Sequence, residues 1–216
     1  MKQPTKAQFL KDVANHKLSI IKDDGIFRHM ALSQGCFEHR FEITTWPNHL
    51  CISGDMGTYV FSRVEDMFQF FRNQDEDWGI NPSYWEEKVL SQCKTDGTRQ
   101  FDATKADKRL DEFYQWFIED LDPDDEEDAQ IILSASEAVK DFKESREDFE
   151  EDVIYRINNW DADDAGGMAL EDFWDGWKDP FCYRFIWCCF AIVFAIRQYD
   201  EAAAQLPIIK QEDAAC

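Results

Sequence analysis

The sequence predicts an α+β fold: a small antiparallel β-meander packed with helices, followed by an acidic, mainly helical half. Three observations carry that expectation. Short β-rich runs between residues 18 and 62 alternate with turn signals. From residue 102 onward, apolar residues recur at helical spacing. Surplus charge is also concentrated: residues 102–179 hold 27 acids and 8 bases, a net of −19, against −22 for the whole chain.

The elements follow in order. Thr5 is placed to cap a helix over 6–16, with Gln8 at the capping-box position and Phe9, Leu10 and Val13 as its apolar face. Strands are expected over 18–21 and 26–32 around the turn Asp23-Asp24-Gly25, over 37–46 up to the break at Pro47-Asn48, and over 49–53 and 58–62 around Gly54-Asp55-Met56-Gly57. Ser62, with Glu65 three residues on, is the expected cap of a helix bearing Met67, Phe68, Phe70 and Phe71. A loop over 73–79 leads to Asn81-Pro82, which opens a helix presenting Trp85 and Val89 inward. Residues 94–98 read as a turn and a seam.

In the acidic half, Leu110, Phe113, Tyr114, Phe117 and Ile118 mark one helix. Asp122-Pro123 restarts another, with Ile131, Ile132 and Leu133. A stripe of Val139, Phe142, Phe149, Val153 and Ile157 follows, on one helix or on two meeting near Ser145. Residues 158–167 read as a loop and 170–177 as a short helix, before an apolar helix over 181–196. Its uncharged core, Phe185 to Ile196, spans only about 18 Å as a helix, short of a roughly 30 Å hydrocarbon layer, so it is expected to be a central buried helix tying the halves together. The organisation is therefore 1–100 and 101–216, or one domain containing both. The tail from Leu206 reads as loose.

Composition narrows the function classes. With 18 Phe and 8 Trp the chain can bury a core despite its charge. The first residues lack an apolar leader run, and seven irregularly spaced cysteines do not form a disulfide framework, so a reducing, cytoplasmic compartment is expected. Most of those thiols read as small core hydrophobes. The acidic stretch repels phosphate backbones and attracts a basic partner.

Candidate sites follow from the same residues. The densest acidic patch is Glu119, Asp120, Asp122, Asp124, Asp125, Glu126, Glu127 and Asp128, joined by Glu147, Asp148, Glu150, Glu151 and Asp152. DNA carries one charge per roughly 1.7 Å of axis, and carboxylates repeated along helices could imitate that field; a solvated face is the simpler alternative. Asp161, Asp163 and Asp172, with Gly166 between them, resemble an EF-hand calcium loop, but Ala165 and the short acid at Asp172 depart from it at two ligand positions. Cys36, His39, His49 and Cys51 are of zinc-ligand type, yet neither pair is a CxxC; His39 is expected exposed and Cys51 in the core. No P-loop, nucleophile elbow or GxGxxG occurs, so no catalytic residue is singled out and no cofactor is expected.

The run Thr45-Trp46-Pro47-Asn48-His49-Leu50-Cys51-Ile52-Ser53-Gly54-Asp55-Met56-Gly57-Thr58-Tyr59-Val60-Phe61-Ser62-Arg63, continuing through Glu65 to Phe68 and with Ile80 to Trp85, resembles an uncharacterised protein family of proteobacterial phages and prophages. The resemblance covers roughly residues 5–95 and is looser across the acidic half. It implies a phage accessory protein made inside a bacterium and supplies no catalytic residue. The leading expectation is a non-enzymatic protein that binds, and inhibits, a basic nucleic-acid-handling host protein. A Mg²⁺-using phage DNA-metabolism enzyme and a calcium-binding helix-loop-helix module are the alternatives.

Overall fold

A computed structural model describes residues 3–72, 78–94 and 97–205. The expected loop over 73–79 and turn over 94–98 lie partly outside the described residues, and the tail from Leu206 lies wholly outside them. In chain order the elements are α1 (Lys6–Asp12), β1 (Lys17–Asp24), β2 (Phe27–Ser33), β3 (Phe41–Trp46), β4 (His49–Gly54), β5 (Gly57–Ser62), α2 (Met67–Phe71), α3 (Pro82–Glu86), β6 (Val89–Ser91), α4 (Ala103–Ile118), α5 (Glu126–Ser145), α6 (Glu150–Asn158) and α7 (Tyr183–Gln205). The α+β class is as the sequence predicts. The chain forms two compact units, one from residues 1–100 with the stretch from 181, the other from 101–180.

In the first unit six antiparallel strands follow one another in the order β1-β2-β3-β4-β5-β6. Their turns obey local chemistry. Gly25 takes φ 61 at the first position of a two-residue hairpin loop, where a side chain would be strained. Pro47 and Asn48 close the next hairpin, with Asn48 at φ 67, the left-handed position Asn tolerates. Asp55 holds a third loop: its carboxylate accepts the His39 N–H at 2.9 Å and its own N–H donates to the Arg40 carbonyl at 3.0 Å. Alternation then sets the faces. Met30, Leu32, Phe41, Ile43, Leu50, Ile52, Tyr59 and Phe61 are buried on one side.

Helix α7 covers that side. Of the twelve residues from Phe185 to Ile196, eleven are buried, so the helix is apolar all round because it is enclosed all round. Phe9 of α1 sits among its rings, with centroids 5.0 Å from Trp187, 5.8 Å from Phe190 and 5.7 Å from Phe194. The Trp187 indole N–H donates to Asp12 at 3.0 Å. Cys182, Cys188 and Cys189 are buried, and burial pushes the Cys188 and Cys189 thiols well up, keeping them protonated. Helix α7 thus belongs to the sheet's core, and the boundary expected at 101–216 falls instead at 101–180.

Four local expectations are corrected in this unit. Helix α1 ends at Asp12, and Leu10 is exposed. Thr5 caps it, but Gln8 turns to Asp12 rather than back to the cap. Asp66, not Ser62, caps α2, accepting the Phe68 N–H at 3.0 Å. The helix after Asn81-Pro82 stops at Glu86, and Val89–Ser91 becomes β6 because the free edge of β5 offers backbone partners: Ser62 N–H donates to the Lys88 carbonyl at 2.9 Å.

Arg28 joins the sheet to α2. It is buried, donates to both Asp66 oxygens at 2.9 and 3.2 Å, and lies over the Phe68 ring at 4.4 Å. Burial raises the Asp66 pKa, but hydrogen bonds from Arg28 and the Phe68 N–H, with the Arg28 charge, outweigh it and hold the carboxyl below its ordinary value.

The second unit is a helical core of Ala106, Leu110, Ala135, Val139, Phe142, Val153, Ile157, Met168 and Phe173. Asp102 caps α4 and Asp125 caps α5. Two expectations change. Phe149 is not in the stripe; it precedes α6 and is 56% exposed. Residues 170–177 form turns rather than a helix, with Asp172 at φ 55 and Gly176 at φ 64. What holds them is aromatic packing: Trp174 lies 4.9 Å from Phe173 and 5.2 Å from Trp177. Gly166 has φ 65, and a Cβ there would stand 2.7 Å from the Ile131 carbonyl oxygen, so only glycine lets this turn close onto α5.

Three outcomes are expected. Arg28→Ala should lower unfolding free energy by about 3–5 kcal/mol in urea denaturation, because Asp66 is left unpaired. The Asp66 contribution is whole above an unfolded value of about 4 and is lost as pH falls through the lower folded value, so the gap between wild type and Asp66→Asn should narrow below about pH 4. Gly166→Ala should cost about 1–3 kcal/mol, read as a lower thermal midpoint.

Candidate functional site

The acidic residues singled out from sequence fall at the two ends of α5. Its 20 residues span about 30 Å. Glu119, Asp120, Asp122, Asp124, Asp125, Glu126, Glu127 and Asp128 cluster at its start, and Glu147, Asp148, Glu150, Glu151 and Asp152 follow its end. Between them the exposed surface of α5 mixes signs: Lys140 pairs with Glu144 at 3.9 Å, and Lys143 pairs with Asp111 on α4. The acids singled out from the sequence therefore fall in two patches, one at each end of α5.

Part of each patch is helix-start chemistry. Asp125 accepts the N–H groups of Glu127 and Asp128 at 3.0 and 3.2 Å. Asp128 accepts the Asp122 N–H at 2.8 Å, and Asp122 accepts the Asp124 N–H at 3.0 Å, closing the loop. Glu126, Glu127 and Asp128 occupy the first turn of α5, as Glu150, Glu151 and Asp152 do in α6, where the helix dipole favours negative charge. The Glu147 N–H holds the Asp152 carboxyl below its ordinary value, against some desolvation and with help from Arg156. Glu119, Asp120, Asp124, Glu126, Glu127, Glu147, Glu150 and Glu151 are exposed, and among the described residues their carboxylates make no ion pair.

Arg146 anchors the second patch. Its side chain is 7% exposed and reaches Asp107 on α4 at 2.8 and 2.5 Å and Asp148 at 2.5 Å.

The metal-type residues have other partners. Asp161 accepts the N–H groups of Asp163 and Asp164 at 2.9 and 3.3 Å, a turn role, and the segment holding Asp172 is not a helix. His39 is half-buried, stacked 5.6 Å from Trp187, rather than exposed. His49 stacks on Trp46 at 5.0 Å. Cys51 alternates out of the core onto the other sheet face, and Cys36 is exposed. Among the described residues no three His, Cys, Asp or Glu side chains are grouped to hold a metal ion.

Sequence reasoning missed a groove of about 760 Å³ beside α4. Arg109, Glu112, Phe113, Trp116 and Phe117 of α4 line it together with Gly167, Ala169 and Glu171. Trp116 is 74% exposed. At 3.6 residues per turn it lies roughly 120° around the helix from buried Leu110, a signal that it falls outside the core stripe.

Arg146→Met should lower stability by about 3 kcal/mol, since Asp107 loses its partner. Lys140→Met, which breaks only an exposed pair, should change it by less than about 0.5 kcal/mol; denaturant midpoints of the two variants check the contrast. No helix among the described residues is long and apolar enough to cross a membrane. No protein-family model, curated protein or solved structure matches the chain.

Proposed function

We propose that the chain is a non-enzymatic phage accessory protein whose 101–180 unit binds, and thereby inhibits, a basic nucleic-acid-handling protein of the bacterial host. The observation that carries this reading is the uncompensated charge. The unit's 27 acids face 8 bases, and several of those bases are already committed: Lys143, Arg146 and Arg156 to carboxylates, Lys105 and Arg109 to backbone carbonyls. The exposed acids at both ends of α5 therefore project an unopposed negative field. Such a field raises the encounter rate with a positive surface and loses reach as the Debye length contracts to about 8 Å at physiological salt. With patches about 30 Å apart, the unit supplies the sign and amount of charge of a DNA segment rather than its phosphate spacing. The phage setting rests on the resemblance of residues 45–68 and 80–85.

The test is capture from bacterial lysate on the immobilised full chain at low salt, eluted by a salt gradient. Basic nucleic-acid-binding proteins should be retained. Glu126→Gln with Glu127→Gln, and separately Glu150→Gln with Glu151→Gln, should each move their elution to lower salt. Recovery of no basic protein, or elution unmoved in both variants, rejects the reading.

A further inference from the structure

We infer that the groove beside α4 receives the apolar face of a basic amphipathic helix, the segment through which a partner protein is gripped; this rests on the acidic-binding reading above. Four observations point to that occupant. First, Arg109, Glu112, Phe113, Trp116 and Phe117 fall at helical neighbours on one side of α4, so the wall is a ridge two turns, or about 12 Å, long. A ridge of that form matches the i, i+3, i+4, i+7 face of a second helix.

Second, Trp116 stands apart from the other tryptophans of its unit. Trp160 donates its indole N–H to the Met168 carbonyl at 2.8 Å, Trp174 to Asn158 at 3.1 Å, and Trp177 to Asp179 at 2.9 Å. Trp116 makes no such bond and leaves 74% of its surface in water. A large amphipathic ring held on a rigid helix costs little entropy to dock, which is why tryptophan dominates binding hot spots.

Third, the lining selects charge. Glu112 and Glu171 line the groove, are exposed and make no ion pair among the described residues, and the exposed Glu119 and Asp120 follow the end of α4. The one base in the wall, Arg109, spends its guanidinium on the Asp175 carbonyl at 2.8 Å and lies over the Phe173 ring. Lysines or arginines flanking the apolar face of an incoming helix would meet these carboxylates. Fourth, a second copy is disfavoured as the occupant, because it would bring another net −19 against this surface.

The experiment is fluorescence anisotropy on the full chain with two labelled synthetic probes: a lysine-rich helix with leucines along one face, and an oligolysine of equal charge. The amphipathic probe should bind the more tightly. Trp116→Ala should weaken it by about tenfold or more while leaving oligolysine binding unchanged. Glu112→Gln with Glu171→Gln should weaken the amphipathic probe and steepen the advantage of low salt less than in wild type. Trp116 is mostly exposed, so its loss leaves the fold intact; circular dichroism of the variant checks this. Equal binding of the two probes, or an unchanged amphipathic affinity in Trp116→Ala, overturns the groove inference and leaves the acidic reading standing. If neither probe binds, both fall. Self-association at high salt that Trp116→Ala abolishes also overturns it, by making the occupant a second copy.

Discussion

The enclosure of α7 by the sheet is the constraint on which the first unit depends. An amphipathic helix needs one apolar stripe; α7 is buried on every side from Phe185 to Ile196, and so requires partners on every side there. It finds them in the inner face of the meander, in Phe9 of α1 and in α2. Each fully buried large side chain of this kind contributes about 1.5–3 kcal/mol relative to exposure. Loss of α7 would therefore leave the faces of β2 to β5 without their main cover. Because the helix comes from the far end of the chain, residues 101–180 are an insertion in the first unit. Within the first unit the chain on either side of that insertion is joined by the Arg99–Phe181 bridge and by the Cys182 N–H, which donates to the Thr98 carbonyl at 2.9 Å, and Arg99 is held by the Glu86 carboxylate.

The second unit answers a different demand: it must stay folded at a net of −19. Its sequence places acids where helix starts already want them, at Asp102, Asp125, Glu126, Glu127, Glu150 and Glu151, so part of the repulsion is offset by dipoles and caps. Arg146 offsets more of it between α4 and the α5–α6 connection. What remains unpaired is surface charge, part of it on the same helix as the exposed Trp116 indole.

Local signals were the legible ones. Gly25, Pro47-Asn48 and the Gly54–Gly57 loop announce their hairpins because the turn residues themselves carry the required backbone geometry. Helical spacing from residue 102 onward announces α4. Non-local events were not legible. Residues 89–91 become a strand only because β5 has a free edge, which helical periodicity from Trp85 onward conceals. The 170–177 segment has the aromatic spacing of a helix, yet packs its three rings as turns. In the candidate site, carboxylates adjacent in composition proved separated by the length of α5, since charge density along a chain does not encode which end of a helix it will occupy. Trp116 lies off the stripe of Leu110, Phe113 and Phe117, but spacing along one helix does not show that residues 167–171 fold beside it to make a groove.

The late position of α7 also orders events during synthesis. A ribosome adds about 5–20 residues per second, so some 80 residues of insertion separate the sheet strands from their cover by roughly 4–16 s. Throughout that interval the inner faces of β2 to β5 lack their main cover. Nascent chains that carry the meander but not yet residue 185 thus expose apolar strand faces that the finished protein buries.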